Sequence, residues 1–574
     1  MPNRRRVLFL IMLLMFVGSV VLWSTLQLRR SETKPAGGPS MLVLDVPRTI
    51  EEGPVAYSAF SLQMFRARRP ALFELVLAIR AAAEDESVRG LMLHVPSLAW
   101  DWAQVSELRD ALAAFKASGK PVHATLDGAG EREYLLASIA DQVSMPLHAH
   151  LWFDGLAASA TYFKGTYDKL DIRPNFAHVG RYKSAIETYT RDGMSPDARA
   201  ALEEVLDDTY RCLVDSVASA RGLSSDSVRA IVDGGPYLAP GALACGLIDM
   251  LASRPEADSL AREASGTKRE IPLTRYLTRR HQTSPSHRVA LVVAEGTIVP
   301  GRSRDDDWQG RSAGARSMIQ VLEEIAEDDG IDAVLLRVNS PGGSADASED
   351  IWNALDRVRR SKPVVVSMSG MAASGGYYIA CGSDGVVAHP TTLTGSIGVF
   401  GGKLNVLGLY RKLGANVEIL TRGRKAAMLS PYRDFTPEEA TLYEQQMRSF
   451  YDLFLTRVAN RTGLALASAD SVAQGRVWTG ASALRVGLVD ELGGIDRALQ
   501  LLRERLELDA GTPLRLEAYP RVERPYLARL LEDLVPEEDI ESESGLESLR
   551  PLLAAARFPT GAVLALMPIT IDIR

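Results

Sequence analysis

VVVSMSGMAASGGYYIACGSDGVVAHPTTLTGSIGVF, residues 364–400, carries the densest chemical signal in the chain. The apolar run from Pro363 to Val366 reads as a buried strand, Ser369-Gly370 as a turn, and Met371 to Cys381 as a small-residue helix with Ser374 in its first turn. A helix N-terminus presents free backbone N–H groups and the positive end of its dipole, so a hydroxyl placed there can act on a carbonyl whose charge is developing. Gly375-Gly376 leave room for a substrate backbone. Alone, Ala-Ser-Gly-Gly also suits close helix packing, so the rest of the chain has to decide.

Working outward, the stretch belongs to the second of two copies. Leu91 to Ser97, LMLHVPS, matches Val334 to Ser340, VLLRVNS, at an offset of 243, and Tyr134/Tyr377 and Asp141/Asp384 keep that offset. Arg191-Asp192 before Ser195-Pro196 match Arg433-Asp434 before Thr436-Pro437 at 242 and 241. Gly246-Leu247-Ile248-Asp249 matches Gly487-Leu488-Val489-Asp490 at 241. So steady an offset marks a tandem duplication, over 41–285 and 286–515. In the first copy apolar runs (41–46, 90–94, 121–125) alternate with helical segments (71–84, 104–116), the pattern of βαβ units around a parallel sheet. The fold class is α/β.

The copies differ where chemistry would sit. Asn339-Ser340-Pro341-Gly342-Gly343-Ser344 follows a strand and can turn backbone N–H groups towards an oxyanion, with Asn339 and Ser340 shaping the loop. The first copy has Pro96-Ser97-Leu98-Ala99-Trp100 there, and the position matching Ser374 falls near Glu131. The first copy has lost both the nucleophile and the glycine loop.

At 574 residues the chain exceeds one ordinary core, and its net charge of -7, with no basic aromatic-studded stretch, argues against nucleic-acid binding. Cys212, Cys245 and Cys381 lack metal-ligand spacing, so no metal site or cofactor is expected. Arg4-Arg5-Arg6 form a short tail (1–6) before 22 uncharged, mostly apolar residues, 7–28, long enough to cross a bilayer. They are expected to form a transmembrane anchor with a cytoplasmic N-terminus, although Arg29-Arg30 on the far flank weaken the charge asymmetry. A linker over 29–40 follows. In the tail, 516–574, residues 531–549 are acidic and read as solvated. Residues 561–571 are apolar but too short to span a membrane, and read as a packed strand or as a substrate or assembly contact.

A serine nucleophile needs a base. His389 lies within VVAHPTT, but Met145 holds the matching place beside a shared proline, which suits a structural histidine. A lysine buried beside the serine would serve, because burial lowers its pKa. At this point the second copy resembles the signal peptide peptidase A family, peptidase family S49: NSPGGS, SGMAASGGYYIA and TLTGSIGVFG match its signatures. VGRYKSAIETYTRDGMSP in the first copy is similar to the segment that carries the lysine in the long, duplicated members. The resemblance implies a Clp-protease/crotonase-like fold in each repeat, with Ser374 as nucleophile and Lys183 as general base. It further implies Gly343 and the Gly375 N–H as oxyanion hole and Ser396 as a residue positioning the lysine amine. It also implies cleavage of residual signal peptides and other apolar peptides, no cofactor, a homotetramer, and an inner-membrane location with the catalytic repeats on the periplasmic side.

Lys425, in TRGRKAAMLSPYRD, is the runner-up base. It lies 242 residues after Lys183 with the same eight-residue step to an Arg-Asp pair, so the second copy could hold its own dyad, as single-repeat family members do. Basic neighbours would lower its pKa too. YKSAIE is closer to the long-form lysine segment, which favours Lys183. Two other functions use the same sequence: a crotonase-like acyl-CoA enzyme, which needs no Ser-Lys pair, and a silent membrane scaffold, which needs no intact second copy.

Overall fold

The computed structural model describes residues 38–53, 70–280, 287–306, 310–520, 561–567 and 572–573. The anchor expected over 7–28 and the acidic run over 531–549 lie outside them. Among the described residues no helix is long and apolar enough to cross a membrane.

Each copy builds six parallel strands in the same spatial order, and in the second Leu393–Gly395 and the antiparallel Val477–Thr479 branch off Val364–Ala373 to make eight. In the first the order is Glu270–Pro272, Ser40–Asp45, Val88–Val95, Val122–Leu126, Gln142–Met145 and Met250–Leu251. In the second it is Leu514–Tyr519, His287–Glu295, Ala333–Ser340, Val364–Ala373, Gly385–Ala388 and Glu491–Leu492. Parallel strands covered on both faces are apolar throughout, and this is why runs such as AVLLRV and VVVSM are not alternating. The strand Leu514–Tyr519 carries the second sheet past the boundary expected at 515.

Polar details repeat with the fold. Tyr134 Oη donates to the Leu247 carbonyl and Tyr377 Oη to the Leu488 carbonyl, both at 2.7 Å. Asp249 accepts the Val143 N–H and Asp490 the Val386 N–H, again both at 2.7 Å. Two matching 26-residue helices, Pro196–Arg221 and Pro437–Thr462, start at Ser195 and Thr436, whose hydroxyls accept the N–H three residues on.

The copies are fused rather than strung together. One apolar core contains Leu93 and Leu112 of the first copy with Leu335, Val365 and Leu499 of the second. At this junction Arg337, fully buried, pairs with Glu52 at 2.8 Å and Glu107 at 2.6 Å and donates to Ser367 and Ser369. Removing one partner would strand a buried charge, which costs several kcal/mol, so these contacts fix how the repeats meet.

A seven-stranded sheet drawn from both copies and the tail lies over the functional residues. Its order is Arg304–Asp306, Gly310–Gly314, Thr297–Val299, Gly342–Ser344, Val563–Leu566, Val399–Asn405 and Arg173–Val179. Residues 561–571 were expected as a packed strand, and 563–566 form one.

Candidate active site

The strand carrying the serine differs from its sequence expectation. It runs from Val364 to Ala373, so the turn expected at Ser369-Gly370 is strand, and the helix expected from Met371 is only Gly375–Ala380. Ala372 and Ala373 pair with Thr394 and Gly395, and Ala372 also with Ser340, so sheet pairing overrides alanine's helix preference. The bend falls on Ser374 itself, at φ 54° and ψ −110°, outside the regions open to most L-residues. Its N–H is tied to the Gly395 carbonyl at 2.8 Å, and the side chain is buried. A serine held on a strained strand-to-helix bend is aimed by its backbone rather than by a free rotamer.

Lys183 reaches this serine from the other copy. It follows the strand Arg173–Val179, which pairs antiparallel with Val399–Asn405 of the second copy. Its Nζ lies 2.8 Å from Ser374 Oγ, 2.9 Å from the Ser396 carbonyl and 3.0 Å from Ser396 Oγ. The side chain is 1% exposed. Burial pushes its pKa well below the ordinary lysine value. As a neutral amine it can donate its two N–H bonds to the Ser396 oxygens and accept the Ser374 hydroxyl proton on its lone pair. Ser396, at φ 51°, is held by its N–H on the Arg476 carbonyl at 2.7 Å.

The lysine backbone rests on a loop that the sequence did not mark. Tyr182 N–H donates to the Gln474 carbonyl at 2.7 Å, and a Cβ on Gly475, at φ 76°, would stand 2.6 Å from Lys183 N. Gly475 N–H in turn donates to the Ile397 carbonyl at 2.7 Å. Nothing local separates VAQGRVW from a surface turn; its role is defined only by contact with a segment almost 300 residues away.

Opposite the lysine lies the glycine loop. Gly342, at φ 95°, approaches the helix start so closely that a Cβ there would be 2.6 Å from Gly375 N. Ser340 Oγ pins the loop by accepting the Gly342 N–H at 3.1 Å and donating to the Gly296 carbonyl at 2.6 Å, while Asn339 Oδ1 accepts the Met371 N–H at 3.0 Å. Gly343 pairs antiparallel with Ala565, and Met567 N–H donates to the Pro341 carbonyl at 2.7 Å. Alternation along an antiparallel ladder then makes Gly343/Ala565 a pair that exchanges N–H···O bonds. The Ala565 carbonyl also stands 3.0 Å from where a Cβ on Gly375 would be. A peptide carbonyl therefore sits between Gly343 and Gly375, beside Ser374.

The other candidates are elsewhere. Lys425 is on the surface and ion-pairs with Glu438 at 3.3 Å. His389 is buried at a strand end, its Nε2 3.2 Å from Asp110 of the first copy.

Serine, lysine and glycine loop meet in one buried place. The model of peptidase family S49 matches residues 114–268 and again 356–509, once in each copy. The chain belongs to peptidase family S49. A Clp protease model also matches residues 309–392. Among relatives, Protease 4 of Salmonella typhi is 31% identical over 88% of this chain and 84% of its own length. Protease 4 of Haemophilus influenzae is 32% identical over 76% of this chain and 74% of its own. The chloroplastic serine protease SPPA of Arabidopsis thaliana is 31% identical over 74% of this chain, which spans 64% of that relative's length. Membership in S49 places the chain among the serine peptidases, with the family's domain present twice.

Proposed function

We propose that the chain is a membrane-anchored serine endopeptidase that cleaves residual signal peptides and other apolar peptides with a Ser374–Lys183 dyad. The observation that carries this is the 2.8 Å approach of a fully buried lysine amine to Ser374 Oγ. Desolvation favours the neutral amine, the form a general base needs. In the first step Ser374 Oγ attacks the scissile carbonyl carbon while its proton passes to Lys183 Nζ. The oxyanion is met by the N–H groups of Gly343 and Gly375, and Ser396 keeps the amine aimed. The tetrahedral species collapses as the lysine ammonium returns the proton to the leaving amine, giving an acyl-serine and a neutral lysine. Water then attacks the acyl group with Lys183 again taking the proton, and Ser374 is restored.

Support for a peptide substrate comes from the strand Val563–Leu566. It lies between Gly342–Ser344 and Val399–Asn405, antiparallel to both, and its residues are small and apolar. A substrate strand in that slot gains main-chain hydrogen bonds on both sides. The apolar run 7–28 would hold the repeats at the extracytoplasmic face of the inner membrane, where spent signal peptides reside, and a homotetramer would enclose the sites. Turnover of a fluorogenic apolar peptide in detergent tests the assignment. Wild type is expected to cleave and to be labelled at Ser374 by a serine-directed phosphonate, and cleavage by Ser374→Ala at the wild-type rate would refute it.

A further inference from the structure

The first copy has lost its nucleophile but not its groove. At the position matching Ser374, Glu131 turns its carboxylate inward to accept the N–H groups of Asp154 and Gly155, both at 3.1 Å. Beside it a cavity of about 850 Å³ is lined by Leu98, Trp102, Gly130, Arg132, His148 and Trp152. Residues 572–573 of the tail lie against this place. They pair antiparallel with Ala158–Ser159, Ile573 opposite Ala158 and Asp572 opposite Ser159. In the second copy Leu564 stands opposite Phe400 and Val563 opposite Gly401, also antiparallel. Phe400 and Gly401 follow Ala158 and Ser159 by 242 residues, so the two tail strands occupy equivalent slots in the same register.

The donors differ, and by this register Ile573 answers to Leu564, one residue short of Ala565. In the catalytic slot Gly343 and Gly375 flank the Ala565 carbonyl. At the offset of 243, Arg132 replaces Gly375. Its guanidinium donates to the Ile573 carbonyl at 2.6 Å, and Trp102 Nε1 donates to the same oxygen at 3.2 Å. Arg132 lies over the Trp102 ring, 5.6 Å from its centre, and Ile573 is buried. Two side-chain donors on one carbonyl beside a cavity of mixed polar and apolar lining form a site for an extended peptide. With no serine at 131 and Lys425 on the surface, that site can hold a peptide but not cut it.

We propose that the first repeat retains a second, non-cleaving peptide-strand site, centred on Arg132 and Trp102, which takes the downstream part of a substrate whose upstream part lies at Ser374. The segment itself gives the span: from Leu566, just beyond the carbonyl at the oxyanion loop, to Ile573 is eight residues. This rests on the peptidase assignment, which sets the direction of the substrate. A peptide that reaches both slots binds by two linked contacts and gains affinity over one that reaches only the first.

The test compares two fluorogenic peptides with the same sequence up to the cleaved bond, one ending a single residue after it and one continuing for eight apolar residues. With wild type the longer peptide is expected to have a KM lower by about tenfold, the size expected of hydrogen bonds from a charged donor. Arg132→Ala should erase that difference while leaving kcat and KM for the short peptide unchanged, and Arg132→Lys should restore part of it. Trp102→Phe, which keeps the ring and removes the donor, serves if Arg132→Ala folds poorly. Anisotropy of the labelled long peptide on Ser374→Ala protein reads the second site without cleavage. Weaker binding on adding Arg132→Ala supports the site even if the catalytic assignment fails. Equal effects on both peptides, or none on either, would overturn it.

Discussion

Lys183 Nζ lies 2.8 Å from Ser374 Oγ although 191 residues and a repeat boundary separate them. Duplication explains how such a pair can arise. Once two copies pack face to face, one can supply the base and the other the nucleophile and oxyanion donors. Each is then free to lose the parts it no longer uses. Under the proposed dyad, Glu131 in the serine position and Lys425 paired with Glu438 on the surface are those losses.

The amine's burial sets the pH behaviour. Lys183 titrates below the ordinary lysine value, and only its neutral form can accept the serine proton. The kcat/KM for a neutral peptide should therefore rise with pH through one ionisation and level off while free lysines are still charged. A profile that follows an unshifted lysine would show the amine to be solvated.

The same shift has a stability consequence of definite sign. The unfolded chain binds the Lys183 proton more tightly than the folded one, so stability rises with pH from the folded-state pKa up to the ordinary lysine value of 10.5. Lys183→Met removes the desolvated amine and nearly keeps its volume. It should abolish activity yet raise the melting temperature at neutral pH by a few degrees, a gain that shrinks as pH approaches 10.5. Differential scanning calorimetry across that range checks it.

Gly475→Ala should be costly far from the reacting atoms. Its Cβ would stand 2.6 Å from Lys183 N, at a φ of 76° that alanine disfavours. The lysine segment must move, and a displacement of about 1 Å at a catalytic group costs about 10²-fold. The expected result is that loss in kcat with KM little changed, read by steady-state kinetics.

Ala565→Asp places a carboxylate against the buried oxyanion loop and should drive the strand Val563–Leu566 out of its slot. If that strand stands where substrate binds, KM for short peptides falls, by about tenfold for a contact worth about 1.4 kcal/mol. An unchanged KM would mean that substrate approaches by another route.

Much of this was legible in the sequence because duplication leaves marks at fixed offsets. Parallel strands of one order in both copies follow from buried apolar runs that recur at 241–243, and the glycine loop shows where one copy has it and the other does not. The bend at Ser374 was misplaced because Met371-Ala372-Ala373 favour helix locally and become strand only by pairing with Leu393–Gly395. Gln474-Gly475 was invisible for the same physical reason, since its function is a contact with Tyr182 and Lys183. Arg132 likewise takes its role from a distant contact, the Ile573 carbonyl.

The most direct test compares hydrolysis of one fluorogenic apolar peptide in detergent by Lys183→Ala and Lys425→Ala. A base shared across the repeats predicts that Lys183→Ala loses about 10³-fold or more in kcat, while Lys425→Ala stays within about twofold of wild type. Full activity in Lys183→Ala, with loss in Lys425→Ala, would contradict it.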